Sequence, residues 1–408
     1  MEPRDSHITI EALAQKIGIT AFPEEYRDFY DEVMQDFDAH GCAYTNPEYY
    51  DYLHETYGVL DSYLDLYKKA ADEIGRDEYL SRALALLCYS LKDADVRGGK
   101  KELLKLPQRD GDFAYEMFEA LASASELEIS YDILKKRNLP ADILKKTLAL
   151  PENGIPSFMM RHENRPGYAL LHWFQLAIDG KLFELGRLQY EIFCGFEGAA
   201  CVFRNKDGEE IALASNLPVH KNGFALGSKY YEDEEGSWVA TITETDSSYE
   251  GYPLNERGFV VNNIVSLSKN EWDKVLSPGD PVISVHIPAT GSLSPEKIDE
   301  SLQAATHFFR TYYPDYEYKA FVCYSWLMDP QLVDLLGVDS NISKFNMRFQ
   351  KITGKSNGNN VFNFVFLKPD MNFTLEALPE NTRLEKALKK HYLDGKAIYG
   401  MAGYFFER

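Results

Sequence analysis

Apolar residues recur every three to four positions through the first 180 residues, and every second position through much of the remaining chain. Ile8-Thr-Ile-Glu-Ala-Leu-Ala-Gln-Lys-Ile17 reads as a short amphipathic helix stopped by Gly18. Pro23 to Phe37 opens with a proline and two acids, as a first helical turn should, and carries Tyr26, Phe29, Tyr30, Val33 and Phe37 as a stripe. The helical period continues over Tyr49–Ile74, Tyr79–Leu91, Phe113–Ala124, Asp142–Leu150 and Tyr168–Ile178. Breaks fall at Gly41, Gly75, Gly98-Gly99, Gly111 and the Pro151–Pro156 segment. His172 and Trp173 occupy the most apolar of these helices, where the expectation is a buried histidine satisfied by a neighbour.

At Lys181 the period changes to two. Leu185–Cys194, Ala199–Phe203 and Glu209–Ala214 read as strands, the last two joined by the Asn205-Lys-Asp-Gly208 turn. Leu217–His220, Trp238–Thr243 and Gly258–Val261 add short extended pieces, and Ser268–Leu276 is expected to be a short helix. The clearest unit comes next. Pro281–Ile287 is a strand with Ser284 and His286 on one face, and the chain then bends through Pro288 and Gly291 into a helix from Glu296 to about Tyr312. Ser294 stands at the N-cap position and Pro295 in the first turn, so backbone N–H groups and the positive end of the helix dipole face an anion-sized space. Ala320–Trp326 is a second strand, and two strands joined through a helix are most simply parallel neighbours. Strands are also expected at Phe349–Ile352, Val361–Leu367 and Ala397–Phe405, with a helix over Leu384–Tyr392. The pattern predicts an α+β protein with a helical domain over residues 1–180 and a mixed α/β domain over 181–408.

Composition narrows the chemistry. A formal charge of −21, with only short basic runs such as Lys135-Lys136-Arg137, argues against nucleic acid as a partner. Five scattered cysteines without a C-x-x-C spacing suggest neither a disulfide framework nor a metal site. Cys323 shares a strand face with Phe321 and reads as a small buried hydrophobe. The polar start of the chain and the lack of a membrane-length apolar run lead to the expectation of a cytoplasmic protein that does not engage a membrane.

Several segments, in order, resemble a bacterial family of acyltransferase domain-containing proteins. They are Leu171-His-Trp-Phe174, Gly186-Arg-Leu-Gln-Tyr-Glu191, Pro278-Gly-Asp-Pro-Val-Ile283, Val285-His-Ile-Pro288, Gly291-Ser-Leu-Ser294, Tyr324-Ser-Trp-Leu-Met-Asp-Pro330 and Ser340-Asn-Ile342. The resemblance covers nearly the whole chain. It implies a helical N-acyltransferase N-terminal domain followed by a GNAT-like C-terminal domain that moves an acyl group from acetyl-CoA or another acyl-CoA to an amine, with no metal. In such folds two neighbouring parallel strands splay apart around the thioester, here 281–287 and 319–326. The pyrophosphate would then meet Ile287, Ala289, Thr290, Gly291, Ser292 and Ser294, with Asn341 nearby. The family's usual Gln/Arg-x-x-Gly-x-Gly/Ala loop is reduced here to Gly291. The loop has no arginine, and Pro288 has no N–H.

N-acyl transfer requires a base for the amine and a proton for the departing thiolate. His286 near the strand end suits the base, with Glu191 as a direct or water-mediated helper. Tyr324 or Ser325 suits the acid. Tyr249, Glu250 and Trp326 are candidates for the acceptor side. The alternative expectation is a catalytically inactive module that keeps the fold and binds a small ligand or a protein in the same cleft.

Overall fold

The computed structural model describes residues 8–289, 291–368 and 370–407. The chain forms two units, residues 1–184 and 185–408. The fold is α+β, a helical region followed by a mixed-sheet region, as the two periodicities require.

The first unit is built of short amphipathic helices whose ends follow local chemistry. Asp77 caps the helix Glu78–Ser90 by accepting from Tyr79 N and Leu80 N at 3.0 Å. The single helix expected over Tyr49–Ile74 is two, Pro47–Tyr57 and Leu64–Arg76. Gly58 closes the first in the left-handed region at φ 65°, where a β-carbon is unfavourable, and the chain restarts after Leu60. The tyrosine stripes are core, as their spacing predicted: Tyr50 and Tyr67 are fully buried and stack at 5.5 Å. His172, expected inside, is exposed instead, because Leu171, Phe174, Gln175 and Ile178 form the inward face of its helix.

Among the described residues fourteen strands come next: β1 (Leu182–Leu185), β2 (Leu188–Gly195), β3 (Ala200–Asn205), β4 (Glu210–Ala214), β5 (Leu217–Val219), β6 (Trp238–Ala240), β7 (Ile242–Glu244), β8 (Ser248–Gly251), β9 (Val265–Ser268), β10 (Trp272–Leu276), β11 (Pro281–His286), β12 (Ala320–Ser325), β13 (Gln350–Ile352) and β14 (Met401–Phe405). The main sheet has the order β1-β2-β11-β12-β14-β13. Its β11 and β12 are parallel across the helix Pro295–Tyr312, as the strand-helix-strand pattern implied, and its other pairings given by register are antiparallel. One face packs Val282, Val322, Ala402 and Tyr404 against Phe196, Val202 and Leu276 from the smaller sheet β10-β3-β4. The other face carries Tyr190 and Phe321, and Tyr190 meets Phe309 of the helix edge-on at 6.2 Å.

Three more expectations change in this second unit. Leu185–Cys194 is not one strand. Gly186, at φ 70°, turns the chain between β1 and β2. Ser268–Leu276 is not a helix but the turn and strand β10, because Trp272, Lys274 and Leu276 take up ladder pairing with β3. Val361–Leu367 is not a strand. Asn360–Phe364 is helical, and Phe362 and Phe366, four residues apart, fall on one side, with Phe362 against Tyr392 at 4.5 Å.

Candidate active site

β11 and β12 pair only at Val282↔Ala320, Ile283↔Phe321 and Ser284↔Val322. Beyond that level each strand keeps its other neighbour. β11 runs on with β2 to His286↔Gln189, and β12 runs on with β14 to Ser325↔Met401. The two parallel strands therefore part after Ser284 and Val322, leaving a gap edged by the backbones of Val285–His286 and Cys323–Tyr324.

His286 and Glu191 meet at this gap. Glu191 stands opposite Ser284, and Gln189 opposite His286, so the pair shares one face of the sheet. A bulge sets the phase of β2. Ile192 and Phe193 together occupy the place opposite Ile283, with Phe193 at φ 60°, so that Glu191 and Cys194 both face the same way although they are three apart. His286 Nε2 lies 3.0 Å from Glu191 Oε2, and both side chains are about three-quarters covered, at 26% and 21% relative exposure. An ionised carboxylate only accepts, so Nε2 carries the proton and Nδ1 is the basic nitrogen of the neutral ring.

Tyr324 lies on the same face as His286. Its hydroxyl accepts the Glu197 backbone N–H at 2.7 Å, and burial pushes its pKa up, so the phenol keeps its proton. Ser325 points to the opposite side of the strand, where its Oγ accepts Leu327 N at 3.1 Å and caps the short turn after β12. Trp326 is buried in that turn. Tyr249 and Glu250 lie on β8, in the separate sheet β7-β8-β9 and not in the sheet that carries His286, and Tyr249 packs on Phe203 at 4.7 Å. Cys323 is fully buried, and burial pushes its thiol up to about 12, which removes it as a nucleophile.

The loop after β11 holds the other candidate group. Ile287 and Ala289 are its first turn, Gly291 takes φ 96°, and Thr290 lies outside the described residues. Ser292 Oγ accepts Ser294 N at 3.2 Å and Asn341 Nδ2 at 3.5 Å, which brings three of the expected anion-binding residues together. Ser294 occupies the N-cap of Pro295–Tyr312, yet its side chain makes no cap bond, so the first-turn N–H groups are left for water or a ligand.

Sequence reasoning missed the loop's arginine because it comes from elsewhere. Arg187, in the β1–β2 turn, donates from Nη2 to Pro288 O at 3.0 Å and Gly291 O at 3.1 Å, and from Nε to Ser292 O at 3.1 Å. One guanidinium thus gathers three carbonyls. The turn is itself anchored: buried Ser301 accepts Leu188 N at 3.1 Å, lies 2.9 Å from the Tyr190 hydroxyl and donates to Leu185 O. The only hint in the sequence was Gly186-Arg187, a turn signal inside an apparent strand.

Residues 182–405 match a family model described as the GNAT-like C-terminal domain. Among solved structures, an acyltransferase mutant of orf11* in complex with octanoyl-CoA superposes with a TM-score of 0.63 at 18% identity, covering 98% of this chain and 100% of its own. An acyltransferase in complex with decanoyl-CoA and teicoplanin gives 0.62 at 18%, covering 98% and 99%. One in complex with decanoyl-CoA alone gives 0.60 at 18%, covering 98% and 100%. At this identity the likeness speaks for the fold. No curated protein sequence matches the chain.

Proposed function

Because the chain belongs to the family with a GNAT-like C-terminal domain, we propose that it is an acyl-CoA-dependent N-acyltransferase acting on a small-molecule or peptide amine. The observation that carries this reading is the His286–Glu191 pair at the level where β11 and β12 separate. The similar structures with octanoyl-CoA and decanoyl-CoA support the co-substrate, and the one with teicoplanin supports an acceptor larger than a simple amine. The reading includes a bacterial, cytoplasmic setting, where acyl-CoA is made, and a separate helical domain over residues 1–180. Among the described residues no helix is long and apolar enough to cross a membrane.

The thioester enters the gap, where a backbone N–H on a strand edge can polarise its carbonyl. The pyrophosphate lies over Ile287–Ser294, against the first-turn N–H groups of Pro295–Tyr312, and Arg187 supplies the positive charge the loop itself lacks. His286 Nδ1 takes a proton from the amine as nitrogen bonds to the thioester carbon. Glu191 holds the ring and stabilises the imidazolium. As the tetrahedral carbon collapses, the carbon–sulfur bond breaks and the thiolate takes a proton. Tyr324 is the donor in this scheme. Its oxygen accepts from Glu197 and its own hydrogen remains to give, whereas Ser325 is committed to a cap on the other side.

The test is incubation with octanoyl-CoA and a panel of primary amines, following free thiol and amide product by mass. The reading expects amine-dependent thiol release with an equal amount of amide. Binding of acyl-CoA without any amide product across the panel would make the unit a ligand-binding module instead.

A further inference from the structure

The helical unit holds a cleft of its own, of about 470 Å³, lined by Leu103, Leu104, Leu170, Leu171, Trp173 and the carboxyl-bearing Glu119, with Lys105 and His172 at the same opening. The walls are apolar, and Leu103, Leu104 and Leu171 are themselves buried. Leu170 is held at φ 70° and stays 47% exposed, so the cleft is open at one side. Glu119 projects from the middle of the helix Phe113–Ala124. Among the described residues its carboxyl group has no hydrogen bond and no ion pair. Lys105 acts on it only at longer range, and burial is the larger influence, raising its pKa to about 7.

Glu119 is only partly buried, so its carboxyl group borders the cleft and can meet a cation that enters it. Nothing else in the unit's chemistry uses Glu119. It is not a cap, it braces no neighbouring helix through an ion pair, and it lies on a different unit from His286. Lys105 is exposed and borders the same opening. Although His172 is largely exposed, partial desolvation of its ring, with the Lys105 charge as a second influence, lowers its pKa, which leaves the ring neutral near pH 7. The apolar walls with a few convergent polar groups, of which Glu119 is the anion, match the make-up of a small-molecule site.

We propose that this cleft binds a small apolar primary amine, its ammonium on Glu119 and its hydrocarbon part against Leu103, Leu104, Leu170, Leu171 and Trp173. The proposal is independent of acyl transfer in the other unit.

The experiment uses the full chain and three probes of one chain length: octylamine, 1-octanol and octanoate. Binding is followed by calorimetry and by the change in tryptophan fluorescence that a ligand against Trp173 would cause. Octylamine is expected to bind about tenfold or more tighter than 1-octanol, since a hydrogen bond to a charged group in a partly dry site reaches that size. Glu119→Gln should bind the amine and the alcohol alike, while Glu119→Asp keeps a preference for the amine. Melting curves of both variants should match the parent. Equal binding of octylamine and 1-octanol to the parent overturns the proposal. So does a preference that survives in Glu119→Gln, tighter binding of octanoate than of octylamine, or no octylamine binding at millimolar concentration.

Discussion

Arg187→Ala removes the one side chain that ties three carbonyls of the Pro288–Ser292 loop to the β1–β2 turn. Two of those hydrogen bonds lie in exposed surroundings and one is part-buried, so full values for bonds to a charged group do not apply. Taking ~0.5 kcal/mol for each exposed bond and ~1.5 for the part-buried one gives about 2.5 kcal/mol of loop-ordering free energy. If the loop must hold this form to receive the pyrophosphate, the cost falls on binding. A cost of about 2.5 kcal/mol corresponds to roughly 50- to 100-fold in affinity. Arg187→Lys keeps the charge but not the planar fork, so it should recover only part of the loss. The assay is steady-state acyl transfer with the acyl-CoA concentration varied at saturating amine. KM for acyl-CoA should rise by one to two orders of magnitude in Arg187→Ala while kcat stays within a few-fold, because the arginine does not touch the reacting atoms. An unchanged KM would refute the strap. A loss confined to kcat would place Arg187 in the chemistry instead.

His286→Ala should lower kcat about 10²- to 10⁴-fold with the fold intact, the usual range for a general base, and Glu191→Gln should lower it less. The double variant should be no worse than His286→Ala alone, because Glu191 acts through the ring, and thiol-release rates check this. Gly186→Ala places a β-carbon 3.2 Å from Ser301 Cα at φ 70°. The left-handed conformation alone costs ~1–2 kcal/mol, so a fall of about 3–8 °C in the melting temperature is expected for a unit of this size by calorimetry. Glu126, fully buried in the helical unit, has both carboxyl oxygens without partners, and burial raises its pKa well above the usual range. A carboxyl whose folded pKa is raised contributes stability below its unfolded pKa and loses it as pH rises toward the folded one. Thermal stability should therefore fall from pH 5 to pH 8 in the parent and fall less in Glu126→Gln. Parallel curves for the two proteins would contradict that.

How much of the fold and site was legible in the sequence depended on how far apart the deciding residues lie. The β11-loop-helix unit was readable because alternation, Pro288, Gly291 and Pro295 act within about a dozen residues. His286 and Glu191 could be chosen from strand position and chemistry, yet their meeting depends on a register between residues 95 apart. The bulge at Phe193 had no signal, since a phenylalanine at positive φ is held by its surroundings and not by preference. Arg187 reaches carbonyls more than 100 residues away, so a search for an arginine inside the loop could not find it. Ser268–Leu276 misled because a short run with few apolar residues fits either period, and the ladder with β3 decided it. His172 looked buried because its helix is apolar nearly all round, and the face it sits on became clear only from the packing.

The central claim is that the gap between β11 and β12, with the loop strapped by Arg187, receives an acyl-CoA. Calorimetric titration of the purified chain with decanoyl-CoA, acetyl-CoA and free CoA tests it directly. The account predicts saturable binding of at least one acyl-CoA at about micromolar Kd, near −8 kcal/mol, weakened in Arg187→Ala. Absence of any binding heat at millimolar ligand, in a protein whose melting curve shows it folded, would contradict it.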